Sequence, residues 1–223
     1  MRAVIFANGV LGWVDPLDVA AASQVLIIAA DGGANHCRAL GLVPQVLIGD
    51  LDSVAPEVLV DLEQRGIEIQ RHPVDKDQTD LELALEYAVR RDAEPIIIYG
   101  AAGGRWDMTV ANLLLLAHGQ LAQRTIRLMG NGQQTVLLTG AVTYHLHGEV
   151  GDLVSLIPLS EAVSGVTLKG FVYPLHAATL TLGSSRGVSN RLERDGATIT
   201  IETGKLLCIH MGAGRPAPGD VSP

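Results

Sequence analysis

The chain has 223 residues, room for one large domain or two modest ones, and its 48% hydrophobic, 18% charged composition excludes a disordered chain. A net charge of -8 excludes a general nucleic-acid binder, which needs a basic face. It leaves a nucleotide ligand open, because a metal ion can bridge acidic protein and anionic phosphate.

In chain order, Ala3–Ala7 reads as a strand, and Val25–Ala30 as a second, an unbroken apolar run of the kind buried on both faces of a sheet. Val46–Ile48, Gly66–Ile69 and Pro95–Tyr99 read as three more. Pro56–Arg65 opens near a Pro and is followed by Gly66, which is helix punctuation. Thr79–Arg91 has apolar Leu81, Leu85, Ala88 and Val89 at helical spacing and starts with a Thr79/Glu82 capping box. Met108–Ala117 is a third, strongly apolar helix. Strands alternating with helices predict an open, mostly parallel α/β/α sheet over residues 1–128. From Met129-Gly130-Asn131-Gly132 onward the runs shorten and turn rich in Val, Thr and Leu, as in Thr135–Leu138, Leu153–Pro158, Ala178–Leu182 and Ala197–Glu202. That pattern predicts an antiparallel β-sandwich over 129–215, with 216–223 as a tail in the Pro/Gly-rich end from Gly212.

The acids fall at the ends of the strands. Asp31 follows the second; Asp50 and Asp52 follow the third; Asp75, Asp77 and Asp80 lie between the fourth and its helix; Asp107 follows the fifth. In an open parallel sheet ligands bind beyond the carboxyl ends of the strands, so these acids should share one rim. Crowded carboxylates repel unless a cation sits among them. Magnesium is the natural cation, being hard, oxygen-seeking and shared between carboxylates and phosphates. Asp50 and Asp52, two apart, can reach one ion. Gly32-Gly33 and Gly103-Gly104 each follow a strand and precede a helix, where bare backbone can approach phosphate, and Arg105 adds a fork of donors. Neither loop is a P-loop or a dinucleotide fingerprint, and no nucleophile elbow is present.

Four motifs in order, Asp31-Gly32-Gly33-Ala34-Asn35, Gly49-Asp50-Leu51-Asp52-Ser53, Asp75-Lys76-Asp77-Gln78-Thr79-Asp80-Leu81 and Gly100-Ala101-Ala102-Gly103-Gly104-Arg105-Trp106-Asp107, resemble the thiamine pyrophosphokinase family. Tyr173-Pro174-Leu175 and Gly187-Val188-Ser189-Asn190 look like its thiamine-side segments, so the resemblance covers nearly the whole chain. It implies an α/β nucleotide-binding domain joined to a β-sandwich, working as a homodimer with thiamine between subunits. The implied reaction moves the pyrophosphoryl group of ATP to the hydroxyl of thiamine, giving thiamine diphosphate and AMP. Asp50, Asp52 and Asp80 would hold Mg2+. Asp31, Gly32, Asn35, Asp77, Thr79, Gly104, Arg105 and Asp107 would line the nucleotide and thiamine pocket, with Asp31 or Asp77 as proton acceptor. Ser189 and Asn190 would contact thiamine, and Tyr173 would stack on its ring. Met108 stands where the family often has His, and Lys76 where some members carry Gln.

Each residue also has a plain reading: Asp80 as a helix-dipole acid, Asp31 and Ser189-Asn190 as turn residues, Arg105 as an ion-pair residue, Tyr173 as sandwich core. Rival functions are a pyrophosphokinase acting on a pterin alcohol, a non-catalytic thiamine or nucleotide sensor, and a structural dimerisation protein. Cys37 and Cys208 are too far apart in sequence to suggest zinc or a disulfide framework, MRAVIFANGV lacks a signal peptide's apolar region, and no run is long enough to span a membrane. The expected setting is the cytoplasm, with no nucleic-acid or membrane partner.

Overall fold

The computed structural model describes residues 1–20, 25–130 and 132–212, so the tail expected at the end of the chain lies almost wholly outside the described residues. The chain divides into two compact units, Met1–Leu115 with Arg124–Asn131, and Leu116–Gln123 with Gly132–Pro223.

In the first unit six strands pair in parallel: β1 (Arg2–Phe6), β2 (Val25–Ala30), β3 (Val46–Gly49), β4 (Glu68–Arg71), β5 (Ile96–Tyr99) and β6 (Ile126–Gly130). Their order is β6-β5-β1-β2-β3-β4. All six residues of β2 and all four of β5 are buried, as expected of central strands covered on both faces. Five helices connect them: α1 (Pro16–Val19), α2 (Gly33–Ala39), α3 (Pro56–Gln64), α4 (Asp80–Arg90) and α5 (Trp106–Leu115). On one face Val4, Phe6, Ile27, Ala29, Leu47, Ile97 and Tyr99 pack with Ala34 and Cys37 of α2 and Val58 and Leu62 of α3. Alternate strand residues such as Ile5, Ile28 and Ile48 point to the other face. There α4, whose apolar side buries Leu81, Ala84, Leu85 and Ala88, packs across β1, β2 and β3. Thr79 caps α4, its Oγ1 accepting from Glu82 N at 3.2 Å, as the capping box predicts. The chain runs outward from β1 to β4 and then returns to β5 on the other side of β1. The strand order therefore reverses at β1 and β5, and beyond the carboxyl ends at such a switch point a ligand crevice is expected.

The second unit is a sandwich of two antiparallel sheets. One has the order β12-β9-β14-β7, formed by β12 (Asn190–Arg191), β9 (Leu153–Pro158), β14 (Lys205–Met211) and β7 (Gln133–Thr139). The other is β11-β10-β13-β8, from β11 (Leu175–Thr181), β10 (Ala162–Lys169), β13 (Ala197–Ile201) and β8 (Val142–Leu146). Val136, Val154, Leu156, Val166, Leu168, Ile199, Leu206 and Cys208 are among the inward residues of the shared core. The segment Leu116–Gln123, ending in a 3-10 helix, is tied to this unit: Lys205 Nζ donates to Ala117 O at 2.7 Å and Thr139 Oγ1 to Ala122 O at 2.9 Å. Among the described residues no helix is long and apolar enough to cross a membrane.

Candidate active site

A cavity of about 920 Å3 opens at the crevice of the first unit. Its wall includes Asn8, Gly9 and Val10 after β1, Asp31 after β2, Asp50 and Ser53 after β3, Lys76, Thr79 and Asp80 at the start of α4, and Gly103, Gly104 and Arg105 before α5. That volume suits a small-molecule ligand.

Asp31 leaves β2 with φ 47 and is only 6% exposed. Its N–H donates to Ile48 O at 2.8 Å, and its Oδ1 accepts from Ser53 N at 3.3 Å, so the β2 and β3 loops are laced together. Leu51, at φ 70, turns the β3 loop so that Asp52 N donates to Asp50 Oδ1 at 3.2 Å. Among the described residues Asp31, Asp50 and Asp52 form a metal-sized group, their carboxylate oxygens all within 4.8 Å of one another. Gly49 makes the approach possible. At φ 148, a Cβ there would stand 3.1 Å from Asp31 Cβ and 3.1 Å from Asp80 Cγ, so any larger residue would wedge the acids apart.

Asp80 is joined to this group differently from the other three. The Lys76 ammonium lies 3.4 Å from Asp50 Oδ2 and 3.1 Å from Asp80 Oδ1. Asp80 Oδ1 is buried and takes no well-aligned hydrogen bond, even from that neighbour. Burial holds the Asp80 carboxyl above the usual carboxylate range, outweighing the pull of Lys76; Asp50 and Asp31 add to the rise. Asp50 is held below that range, first by the Asp52 N–H and further by Lys76. Three hard oxygen donors converge beside a single ammonium, and this donor set fits a divalent cation.

The glycines on both sides of the crevice allow close backbone contact. A Cβ on Gly33 would collide with Phe6 O, and one on Gly9 with Gly100 O. Gly9 N donates to Gly100 O at 2.6 Å and Val10 N to Ala102 O at 3.0 Å, so the β1 and β5 loops pair beyond the sheet. His36 Nε2 donates to Gly9 O at 2.9 Å and braces the same loop. The Gly103-Gly104-Arg105 turn is set by α5: Thr109 Oγ1 accepts from Gly103 N and donates to Arg105 O, both at 3.1 Å. One turn on, Asn112 Nδ2 donates to Ala101 O at 2.8 Å, while its Oδ1 is buried without a partner.

The remaining residues expected at the site stand as follows. Asp77 is exposed and, like Asp107, lies outside the cavity wall. Arg105 and Asp107 pair with each other on the surface, through Nε to Oδ1 at 3.2 Å among other contacts. Asn35 braces the β3 loop: its Nδ2 donates to Ser53 O at 2.9 Å and its Oδ1 accepts from Ala55 N at 3.0 Å. In the second unit Tyr173 is 65% exposed, far from a core position. Buried Asn190 clamps it, donating to Tyr173 O at 2.8 Å and accepting from Tyr173 N at 3.1 Å. Ser189, at φ 62, is exposed, and its N–H donates to Ser155 Oγ at 3.1 Å. The sequence reading missed the Asn8-Gly9-Val10 loop and Asn112. The signal for Asn112 was a polar residue inside an otherwise apolar helix.

Residues 18–129 match the family model described as the thiamin pyrophosphokinase catalytic domain, and residues 143–208 the one described as its vitamin B1 binding domain. The chain is 32% identical to thiamine pyrophosphokinase of Bacillus subtilis over 187 residues, 83% of this chain and 87% of that relative. It belongs to the thiamine pyrophosphokinase family. A crystal structure of the Bacillus subtilis thiamine pyrophosphokinase superposes with a TM-score of 0.85 at 29% identity, covering 96% of this chain and 100% of that one. The thiamin pyrophosphokinase structure from Geobacillus thermodenitrificans gives 0.82 at 29% identity, covering 96% and 99%. Asp31, Asp50, Asp52 and Lys76, with the Gly-Gly-Arg turn, all fall inside the part matched by the family's catalytic model.

Proposed function

We propose that this protein transfers the pyrophosphoryl group of ATP to the hydroxyl of thiamine, releasing AMP. The observation that carries the reading is the convergence of Asp31, Asp50 and Asp52 on one another, with Asp31 and Asp50 in the cavity wall, in a chain of this family. The relatives named above are thiamine pyrophosphokinases, and none points to a pterin alcohol or a sensor.

The chemistry needs no enzyme nucleophile. A bond forms between the thiamine hydroxyl oxygen and the β-phosphorus, the bond from the β-phosphorus to the oxygen of the α-phosphate breaks, and AMP leaves. Such a transfer depends on positioning and charge stabilisation. Asp31, Asp50 and Asp52 would hold Mg2+, whose charge would offset that of the phosphate oxygens. Asp80, tied to Asp50 through Lys76, completes the acid set. Gly104 and Arg105 face the phosphates, and Thr79 fixes the start of α4. Asp31 and Asp77 are the two candidates for acceptor of the hydroxyl proton, and of these Asp77 stands outside the metal group. Tyr173, exposed and clamped by Asn190, is the platform for the thiamine ring, with Ser189 beside it. The working form is a homodimer with thiamine bound between subunits. Its support is the apolar stripe Trp106, Val110 and Leu114 on successive turns of α5, all exposed. Two buried free thiols, Cys37 and Cys208, both pushed up to about 12 by burial, suit a cytoplasmic setting.

Incubation with ATP, magnesium and thiamine, followed by chromatography of the products, tests this reading. Thiamine diphosphate and AMP in equal amounts are expected. ADP as the nucleotide product, or turnover only with a pterin alcohol, would refute it.

A further inference from the structure

Lys76 stands inside the acid cluster as a built-in cation. Its side chain is 13% exposed, and Nζ has three acceptors around it: Asp50 Oδ2 at 3.4 Å, Asp80 Oδ1 at 3.1 Å and Pro73 O at 3.1 Å. Two of them, Asp50 Oδ2 and Pro73 O, accept hydrogen bonds from the ammonium and Asp80 pairs with its charge, so in this arrangement Lys76 is directed at the acids and not at a phosphate. Asp50 is engaged on both oxygens, with Oδ1 accepting from Asp52 N and Oδ2 facing Lys76. A divalent cation taking Asp50 must therefore work against a positive charge already beside that carboxylate. A phosphate chain arriving with the cation would bring negative charge that offsets Lys76. Its flexible stem lets the ammonium turn toward those oxygens without moving α4.

We propose that Lys76 is an internal counter-ion that keeps the nucleotide-free site weak for divalent cations, so that metal and nucleotide enter together. The inference rests on Asp31, Asp50 and Asp52 being the metal group. Lys76 is here a positioning residue, acting through Asp50 and Asp80.

The test is titration of Mn2+ into the nucleotide-free protein, followed by electron paramagnetic resonance of the free ion. Lys76→Met and Lys76→Gln should tighten Mn2+ binding by about 10-fold, a usual size for coupling between adjacent sites. Lys76→Arg, which keeps the charge, should stay near wild type. With a non-hydrolysable ATP analogue present the gap between Lys76→Met and wild type should shrink, which a merely structural lysine would not produce. A second readout needs no variant. Acylation of Lys76, read by mass spectrometry against Lys169 and Lys205 as internal references, should speed up when Mn2+ and the analogue are added. Unchanged or weaker Mn2+ binding by Lys76→Met, a gap that persists with the analogue, or no change in Lys76 labelling would overturn the proposal. Failure of Lys76→Met to bind Mn2+, while wild type still makes thiamine diphosphate, would overturn it and leave the function standing. Tightened Mn2+ binding without thiamine diphosphate formation would do the reverse.

Discussion

Asp52 is exposed and its carboxylate accepts a local hydrogen bond from Ser53 Oγ at 2.9 Å, so its contribution to folding is small. On the proposed function, its placement within the metal-sized group makes it a metal ligand whose loss costs catalysis. Asp52→Asn should lower kcat/KM by about 3–4 kcal/mol of transition-state stabilisation, by analogy with the loss of one stabilising donor, with the melting temperature unchanged. Normal turnover at saturating magnesium would remove Asp52 from the metal group. At this scale Asp31, Asp50 and Asp52 were legible because they follow the buried apolar runs of β2 and β3, where an unpartnered carboxylate is electrostatically awkward. Two asparagines were harder to read. The amides of Asn35 and Asn190 are engaged with backbone inside the fold. An Asn beside a Gly-rich turn serves backbone or ligand equally well in sequence terms. Lys76 showed only as a departure from a motif, though its i,i+4 spacing to Asp80 already allowed the pair.

At the scale of elements, β4 is the edge strand of the parallel sheet, and side chains pin it to α4. Tyr87 Oη donates to Glu68 Oε2 at 2.7 Å, Arg91 Nη2 reaches the same oxygen at 3.3 Å, and its guanidinium lies 4.9 Å from the centre of the Tyr87 ring. The Tyr87 hydroxyl, then Gln70 and the charge of Arg91, hold Glu68 below the usual carboxylate range. A folded-state value below the unfolded one means stability that is present above about pH 4.3 and lost as pH falls through the folded value. Because Glu68 is partly exposed, its worth is about 0.5 kcal/mol. Thermal melts from pH 3 to 7 should show wild type ahead of Glu68→Gln by that amount at pH 7, the gap closing in acid. A gap independent of pH would mean that packing, not charge, is lost. The long regular elements were legible: β2 from its unbroken apolar run, α3 from its Pro and Gly, α4 from its cap and period. The sandwich strands were legible in type but not in bounds. The run read as Ala178–Leu182 overlaps Leu175–Thr181, which starts three residues earlier and ends one sooner; exposed His176 and Thr179 hide the alternation there, and two-residue β12 is too short to carry a pattern.

For the whole molecule, the apolar stripe on α5 calls for a covering surface. Sedimentation should give twice the chain mass for wild type, and Leu114→Glu should shift the population to monomer while the melting transition persists. A monomeric wild type would remove the homodimer from the account. The central claim is that the two terminal phosphates of ATP move as one group into thiamine. ATP labelled at the β-phosphate, supplied with thiamine and magnesium, tests it most directly. The account predicts label in thiamine diphosphate and none in the nucleotide product, AMP. Label retained in ADP would show transfer of a single phosphoryl group and contradict it.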